Sequence, residues 1–183
     1  MTLYYTTSAG ENEEQLLIQA SLGGYKSSTA FKDSDFDNAF GEISTLTLKQ
    51  NREQYIALML VNETGSNVEN VQMWFEKPEG SVCDFQVAAV DPVLKDGVYQ
   101  MERTREIYSK PIYANFVDAD VDNKASLGNI EAGGYVGIWL KRSLNESAFN
   151  ESDFYEEDLS RKPFYKEKEK ETEEKILLNI SWD

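Results

Sequence analysis

Two stretches decide the fold: Gln54-Tyr-Ile-Ala-Leu-Met-Leu-Val-Asn62 and Asn70-Val-Gln-Met-Trp-Phe-Glu76, joined by the polar segment Glu63-Thr-Gly-Ser-Asn-Val-Glu69. The first is almost unbroken apolar, as expected of a strand buried in a sandwich core. The second alternates Val71, Met73 and Phe75 with Gln72, Trp74 and Glu76, the two-residue period of a strand with one covered face. Working outward, similar segments recur at residues 43–48, 82–90, 98–103, 112–116, 135–142 and 176–182. These eight candidate strands, parted by Gly, Pro, Asn and Asp turns, predict an all-β antiparallel sandwich.

The remaining segments read as decorations on one core, because 183 residues with 40% hydrophobic content suit a single domain. Residues 1–40 predict an N-terminal arm, with Leu16, Leu17 and Ile18 as its apolar patch and Tyr25 in a Gly- and Ser-rich surround. Such an arm lies along a neighbour's surface, or Leu16–Ile18 and Tyr25 pack on the chain's own sandwich; both readings stand equal. Ser34-Asp-Phe-Asp-Asn-Ala-Phe-Gly41 predicts a one-turn helix, with a capping serine at one end and a glycine at the other. The sandwich domain is expected over 41–183, interrupted by a charged insertion at 144–175 between two strands that form the last hairpin. Phe149, Phe154, Tyr155, Phe164 and Tyr165 in that polar loop are candidate partner contacts, since aromatic anchors are common in interfaces.

Composition narrows the function. With 18 basic against 33 acidic residues, the net charge is -15. Such a field repels phosphate backbones and anionic lipid surfaces, so neither direct nucleic-acid nor membrane binding is expected. Histidine is absent, which removes His-based triads, imidazole metal sites and the commonest general base. The single cysteine, Cys83, excludes an internal disulfide and reads as an ordinary thiol in a strand. No signal-peptide pattern opens the sequence and no run approaches bilayer length, so folding in a reducing cytoplasm is expected. Asn62, Asn145, Asn150 and Asn179 head Asn-X-Ser/Thr triplets that are read as chance occurrences.

Chemistry-bearing patterns are few. Asp118-Ala-Asp-Val-Asp-Asn-Lys-Ala-Ser-Leu-Gly-Asn129 sets Asp118, Asp120 and Asp122 at alternate positions, a spacing with which a tight loop wraps calcium. The twelfth position is Asn129 where a closing Glu would be needed, so an acidic turn between strands is the favoured reading. No pair of carboxylates stands out as a glycosidase pair, and the doublets Gly23-Gly24 and Gly133-Gly134 lack the Lys-Ser/Thr of a phosphate loop. Trp74, Trp139 and Trp182 form a sugar platform only if they share an exposed face; tryptophan central to an apolar strand is more often core. No catalytic residue and no cofactor is assigned.

Tyr55-Ile-Ala-Leu-Met-Leu-Val-Asn-Glu-Thr-Gly65, followed by Val68-Glu-Asn-Val71, resembles the early hairpin of immunoglobulin-like sandwiches. Ala132-Gly-Gly-Tyr-Val-Gly-Ile-Trp-Leu-Lys-Arg142 and Leu177-Leu-Asn-Ile-Ser-Trp-Asp183 resemble the closing strands of small virion proteins of tailed bacteriophages, in particular crAss-like phages of Bacteroidetes. Leu22-Gly-Gly-Tyr-Lys-Ser-Ser28 and Phe36-Asp-Asn-Ala-Phe-Gly-Glu-Ile-Ser44 extend the likeness. The resemblance implies a multi-copy, non-enzymatic component of the capsid, neck or tail, contacting other virion proteins and copies of itself. The competing expectation is a carbohydrate-binding or receptor-recognition module with aromatics in one concave groove. An intracellular accessory protein with no particle role is a third reading.

Overall fold

The computed structural model describes residues 1–32, 35–40, 53–144, 155–157, 165–167 and 176–183. The strand expected at 43–48 lies outside these. Thirteen strands are described: β1 (Thr2–Thr7), β2 (Tyr25–Ala30), β3 (Gln54–Val61), β4 (Val68–Glu76), β5 (Cys83–Val90), β6 (Val93–Lys95), β7 (Val98–Gln100), β8 (Val117–Asp118), β9 (Ala125–Ile130), β10 (Tyr135–Leu144), β11 (Tyr155–Glu157), β12 (Tyr165–Glu167) and β13 (Leu177–Ser181). A six-stranded sheet in the order β2-β1-β3-β10-β5-β8 faces a three-stranded sheet, β13-β4-β9. The pairs β6–β7 and β11–β12 form separate ribbons. The described pairings are antiparallel, so the protein is an all-β sandwich, compatible with an immunoglobulin-like one in the broad sense of two packed sheets.

Alternation of side chains explains how the layers meet. Ile56, Leu58 and Leu60 of β3, Ile138 and Leu140 of β10 and Phe85 and Val87 of β5 point into the sandwich. There they meet Val71, Met73 and Phe75 of β4 and Leu127 of β9. The one-turn helix α1 (Phe36–Ala39) plugs one end, its Phe36 ring 5.5 Å from Phe75 and 5.5 Å from Phe85. β3 is buried along all eight residues, which requires cover on its other face too. Tyr55, Ala57 and Met59 there join Ala88 and Trp139 beneath Met101 and Ala114, contributed by the irregular segment 101–116. Trp139 sits opposite Ala57 on one neighbour and Ala88 on the other, so the small residues leave the space that the indole fills. Gly137, one step along, lets this cover approach: a Cβ there would lie 2.9 Å from side-chain atoms of Met101 and Val90.

Three expectations are corrected. First, residues 1–40 do not lie outside the sandwich as an arm. β1 pairs with β3 from Thr2↔Val61 to Tyr5↔Leu58, and Leu3 and Tyr5 are core residues. Where β1 turns away, Ser21 replaces it along β3: its carbonyl accepts from Ala57 N at 2.7 Å, and its hydroxyl donates to Ala57 O at 2.5 Å and accepts from Thr6 N at 2.7 Å. Farther along the same edge Tyr55 N donates to Ile107 O at 2.7 Å. A strand buried on both faces has no water for its edge groups, so the N-terminal segment and residue 107 supply the partners. A boundary at residue 40 would cut through this sheet.

Second, the strands flanking the charged segment do not pair. Both edges of β10 are occupied, by β3 and β5, so β13 docks on β4 in the other sheet (Leu177↔Glu76 to Ser181↔Gln72) and 144–175 connects the two sheets. Third, 112–116 is no strand. Pro111 has no N–H to give a ladder, and Ile112 N and Tyr113 N donate to the Glu102 carboxylate at 2.8 and 3.1 Å. The strand expected at 98–103 ends early, at Gln100, with Met101 bridging to Gly24.

Asn62 is the buried staple between turns. Its Nδ2 donates to the carbonyls of Ser66, Ile130 and Glu131 at 2.7, 2.9 and 3.0 Å, and its Oδ1 accepts from Thr64 N and Oγ1. The side chain therefore ties the β3–β4 turn to the β9–β10 turn. Asn62→Ala strands several buried partners at once and is expected to lower unfolding free energy by about 2–4 kcal/mol. Asn179→Ala, which removes one exposed bond to Glu76, should change it by less than about 1 kcal/mol in the same denaturant titration. Deletion of residues 1–30 removes β1 and β2, and the thermal transition is expected to be lost, whereas a detachable arm would leave it intact.

Candidate functional site

The contact residues chosen from the sequence separate into distinct environments. Leu16 and Leu17 are 78% and 70% exposed, whereas Ile18 is half-buried against the main core and Tyr25 half-buried in β2 opposite Thr7. Tyr155 and Tyr165 open the ribbon strands β11 and β12, in the register Tyr155↔Glu167 and Glu157↔Tyr165. Phe149, Phe154 and Phe164 lie outside the described residues.

The two leucines stand on firmly held backbone. Asn12 N donates to Lys26 O at 2.8 Å and Ser28 N to Glu13 O at 3.0 Å, so the acidic stretch runs along the outer edge of β2. Gln15 closes it: its N donates to Thr29 Oγ1 at 3.0 Å, and its Nε2 donates to the carbonyls of Thr6 and Ala20 at 2.9 and 3.1 Å. The 3-10 turn Ile18–Ala20 follows. Exposed Glu11, Glu13 and Glu14 thus cap a sheet edge with charge, the usual guard against unwanted strand addition.

A cleft of about 640 Å³ opens at the opposite end of the six-stranded sheet, floored by Phe75, Phe85 and Ala119. Its polar rim is committed to internal partners. Lys77 pairs with Asp84 and also donates to Cys83 O at 3.2 Å, and Gln86 Nε2 donates to Asp118 Oδ1 at 2.7 Å. Asp120 Oδ1 accepts from the backbone N–H of Asp122 and Asn123 at 2.9 and 2.7 Å, closing the corner where the chain passes from β8 to β9. The alternating carboxylates part ways because β8 ends at Asp118, which bonds to Gln86 of its strand neighbour, whereas Asp120 folds onto its own turn. Among the described residues no group of three or more His, Cys, Asp or Glu side chains is placed to hold a metal ion, Asp118, Asp120 and Asp122 included.

Tryptophans do not make a shared platform. Trp139 is fully buried and its indole N–H has no acceptor among the described residues, Trp74 is covered by the Lys124 ammonium 4.0 Å from its ring, and Trp182 is 43% exposed. One exposed apolar pair that sequence reasoning missed is Ile112 and Tyr113, 81% and 79% exposed on the segment that Glu102 clamps. The signal available was Pro111, which argued against continuing a strand.

One polar cluster flanks the outer core. The Glu53 carboxylate accepts from Lys141 Nζ at 2.8 Å and from the Tyr55 hydroxyl. The lysine and tyrosine hydrogen bonds hold the Glu53 carboxyl below the usual range, while burial and that carboxylate push the Tyr55 phenol well above its own.

No protein-family model matches the chain, and neither a curated protein nor a solved structure matches it. Among the described residues no helix is long and apolar enough to cross a membrane.

A carboxyl with a depressed pKa stabilises the fold above its unfolded pKa and loses that contribution as pH falls through the folded value. Glu53→Gln is therefore expected to be less stable than the parent at neutral pH, with the gap closing as the pH drops below 4.5, the ordinary glutamate value. Denaturant titrations of both proteins at neutral and acid pH check this; a gap independent of pH would remove the charge from the explanation.

Proposed function

We propose that the protein is a non-enzymatic structural subunit of a tailed bacteriophage particle, present in many copies in the capsid, neck or tail. The observation that carries this reading is the pairing of a rigid sandwich with large apolar side chains held outward on pinned backbone, Leu16 and Leu17 above all. A surface loop made stiff by internal hydrogen bonds loses little entropy on docking, as suits a subunit contact. Polar groups around the 640 Å³ cleft bond to one another, which favours a structural role over chemistry there. The sheet order adds support by architecture alone: β3-β10-β5-β8 opposite β4-β9 is the strand order of a jelly roll, an arrangement used by viral capsid and lectin domains.

Lectin domains share that architecture, so carbohydrate or receptor recognition stays as the second reading, with the 640 Å³ cleft and its amide and carboxylate rim as its site. The protein would fold in the host cytoplasm and reside in the virion, meeting other virion proteins without touching nucleic acid or membrane.

Quantitative peptide mass spectrometry on purified particles released by cells carrying the gene tests the first reading. Many copies per particle are expected. Absence from clean particles would overturn it, and a glycan array would then test the second.

A further inference from the structure

Segment 101–116 covers the outer face of the six-stranded sheet without forming a strand or helix, and sixteen residues of irregular chain within a compact domain are usually functional. Its inward side chains, Met101 and Ala114, complete the outer core. Its outward side chains have a different character. Arg103, Arg105 and Lys110 are exposed and fall within eight residues, and none forms an ion pair among the described residues. Beside them stand Ile112 and Tyr113, held in place because the Glu102 carboxylate accepts from both of their backbone N–H groups. Three cations against Glu102 and Glu106 give the segment a net charge of +1, leaving a net charge of -16 on the rest of a -15 chain.

The edge of β2 offers the complement. Glu11, Glu13 and Glu14 are exposed beside Leu16 and Leu17, again on fixed backbone. Each surface thus combines three like charges with two adjacent large apolar side chains, and the charges are opposite.

We propose that these two surfaces bind each other between copies of the chain, segment 101–116 of one molecule docking on the acidic, leucine-bearing edge of the next. The contact joins different patches on the two partners, and because Met101 N and Thr104 N donate to Gly24 O and Leu22 O the patches are neighbours on one molecule. A two-fold pairing therefore satisfies both at once, whereas a head-to-tail pairing extends into a ring or filament. Two chains of strong like charge repel at long range, and local complementarity selects this one orientation over others. The contact requires only the chain itself and is independent of residence in a particle: absence from particles leaves it standing, and a monomeric chain leaves the particle reading to other partners.

Charge reversal tests it on the full-length protein. Sedimentation velocity over a concentration series up to about 1 mM, the weak end of measurable association, should show concentration-dependent assembly of the parent. Glu11→Lys with Glu13→Lys and Glu14→Lys should weaken it by at least about tenfold, as should Arg103→Glu with Arg105→Glu and Lys110→Glu. An equimolar mixture of the two reversed chains should assemble again, because each then presents a surface opposite to one on the other. Near-ultraviolet circular dichroism establishes that each variant is folded; if a reversal unfolds the chain, Leu16→Ser with Leu17→Ser carries the same test. A parent that remains monomeric, assembly indifferent to both changes, or a mixture that fails to reassemble would each overturn the proposal.

Discussion

Everything in this fold depends on the demand that β3 and β10 make for cover on both faces. Their central residues are fully buried, so a two-sheet sandwich alone leaves Ala57, Met59 and Trp139 uncovered. The three-stranded sheet satisfies one side and segment 101–116 the other. Removing water from apolar area is worth roughly 25 cal/mol per Å², and an indole the size of Trp139 makes the second layer a large contributor. The cover is irregular because it fits a surface of mixed sizes: Gly137 and two alanines form the hollow, and Met101 with Trp139 fill it.

Double burial also fixes the hydrogen bonding. Unpaired amides along β3 would be costly, and three separate segments meet them in turn: β1, then Ser21, then Ile107. Turns at the other end are joined by Asn62, which uses both ends of its amide. Hydrogen bonding of this kind explains why the described surface loops are stiff where they carry apolar side chains. The same Glu102 that stops 112–116 from becoming a strand holds Ile112 and Tyr113 outward.

Strands β3, β4, β5 and β10 were legible because apolar runs or strict alternation mark them at local scale. β2, Tyr25-Lys-Ser-Ser-Thr-Ala30, was not: its polar content reads as loop, and its strand character comes from pairing with β1. β9 lay hidden behind the aspartates of the preceding corner, and register irregularities break its alternation against β4. Partner choice was invisible as well. That β13 joins β4 follows from both edges of β10 being taken, a fact of the assembled sheet and of no local pattern. Of the site, Leu16 and Leu17 stood out as an apolar patch amid glutamates, but the sequence left docking on a neighbour and packing on the chain's own sandwich equal; the structure leaves both exposed. Ile112 and Tyr113 were read as strand because β-branched and aromatic residues favour strands wherever they occur.

The pairing of β3 with β10 has a consequence for how the chain is made. Gln54 and Arg142 are hydrogen-bonded partners 88 positions apart, and Asn70 and Asp183 are 113 apart. On a ribosome, β3 emerges long before the strand that will shield it, so its eight apolar-rich residues wait without their principal neighbour. The second sheet is incomplete until β13, Leu177–Ser181, has emerged. During that interval the nascent chain is a string of exposed hydrophobic strands, and its acidic residues, dispersed between them, keep neighbouring nascent chains apart until β10 and β13 arrive.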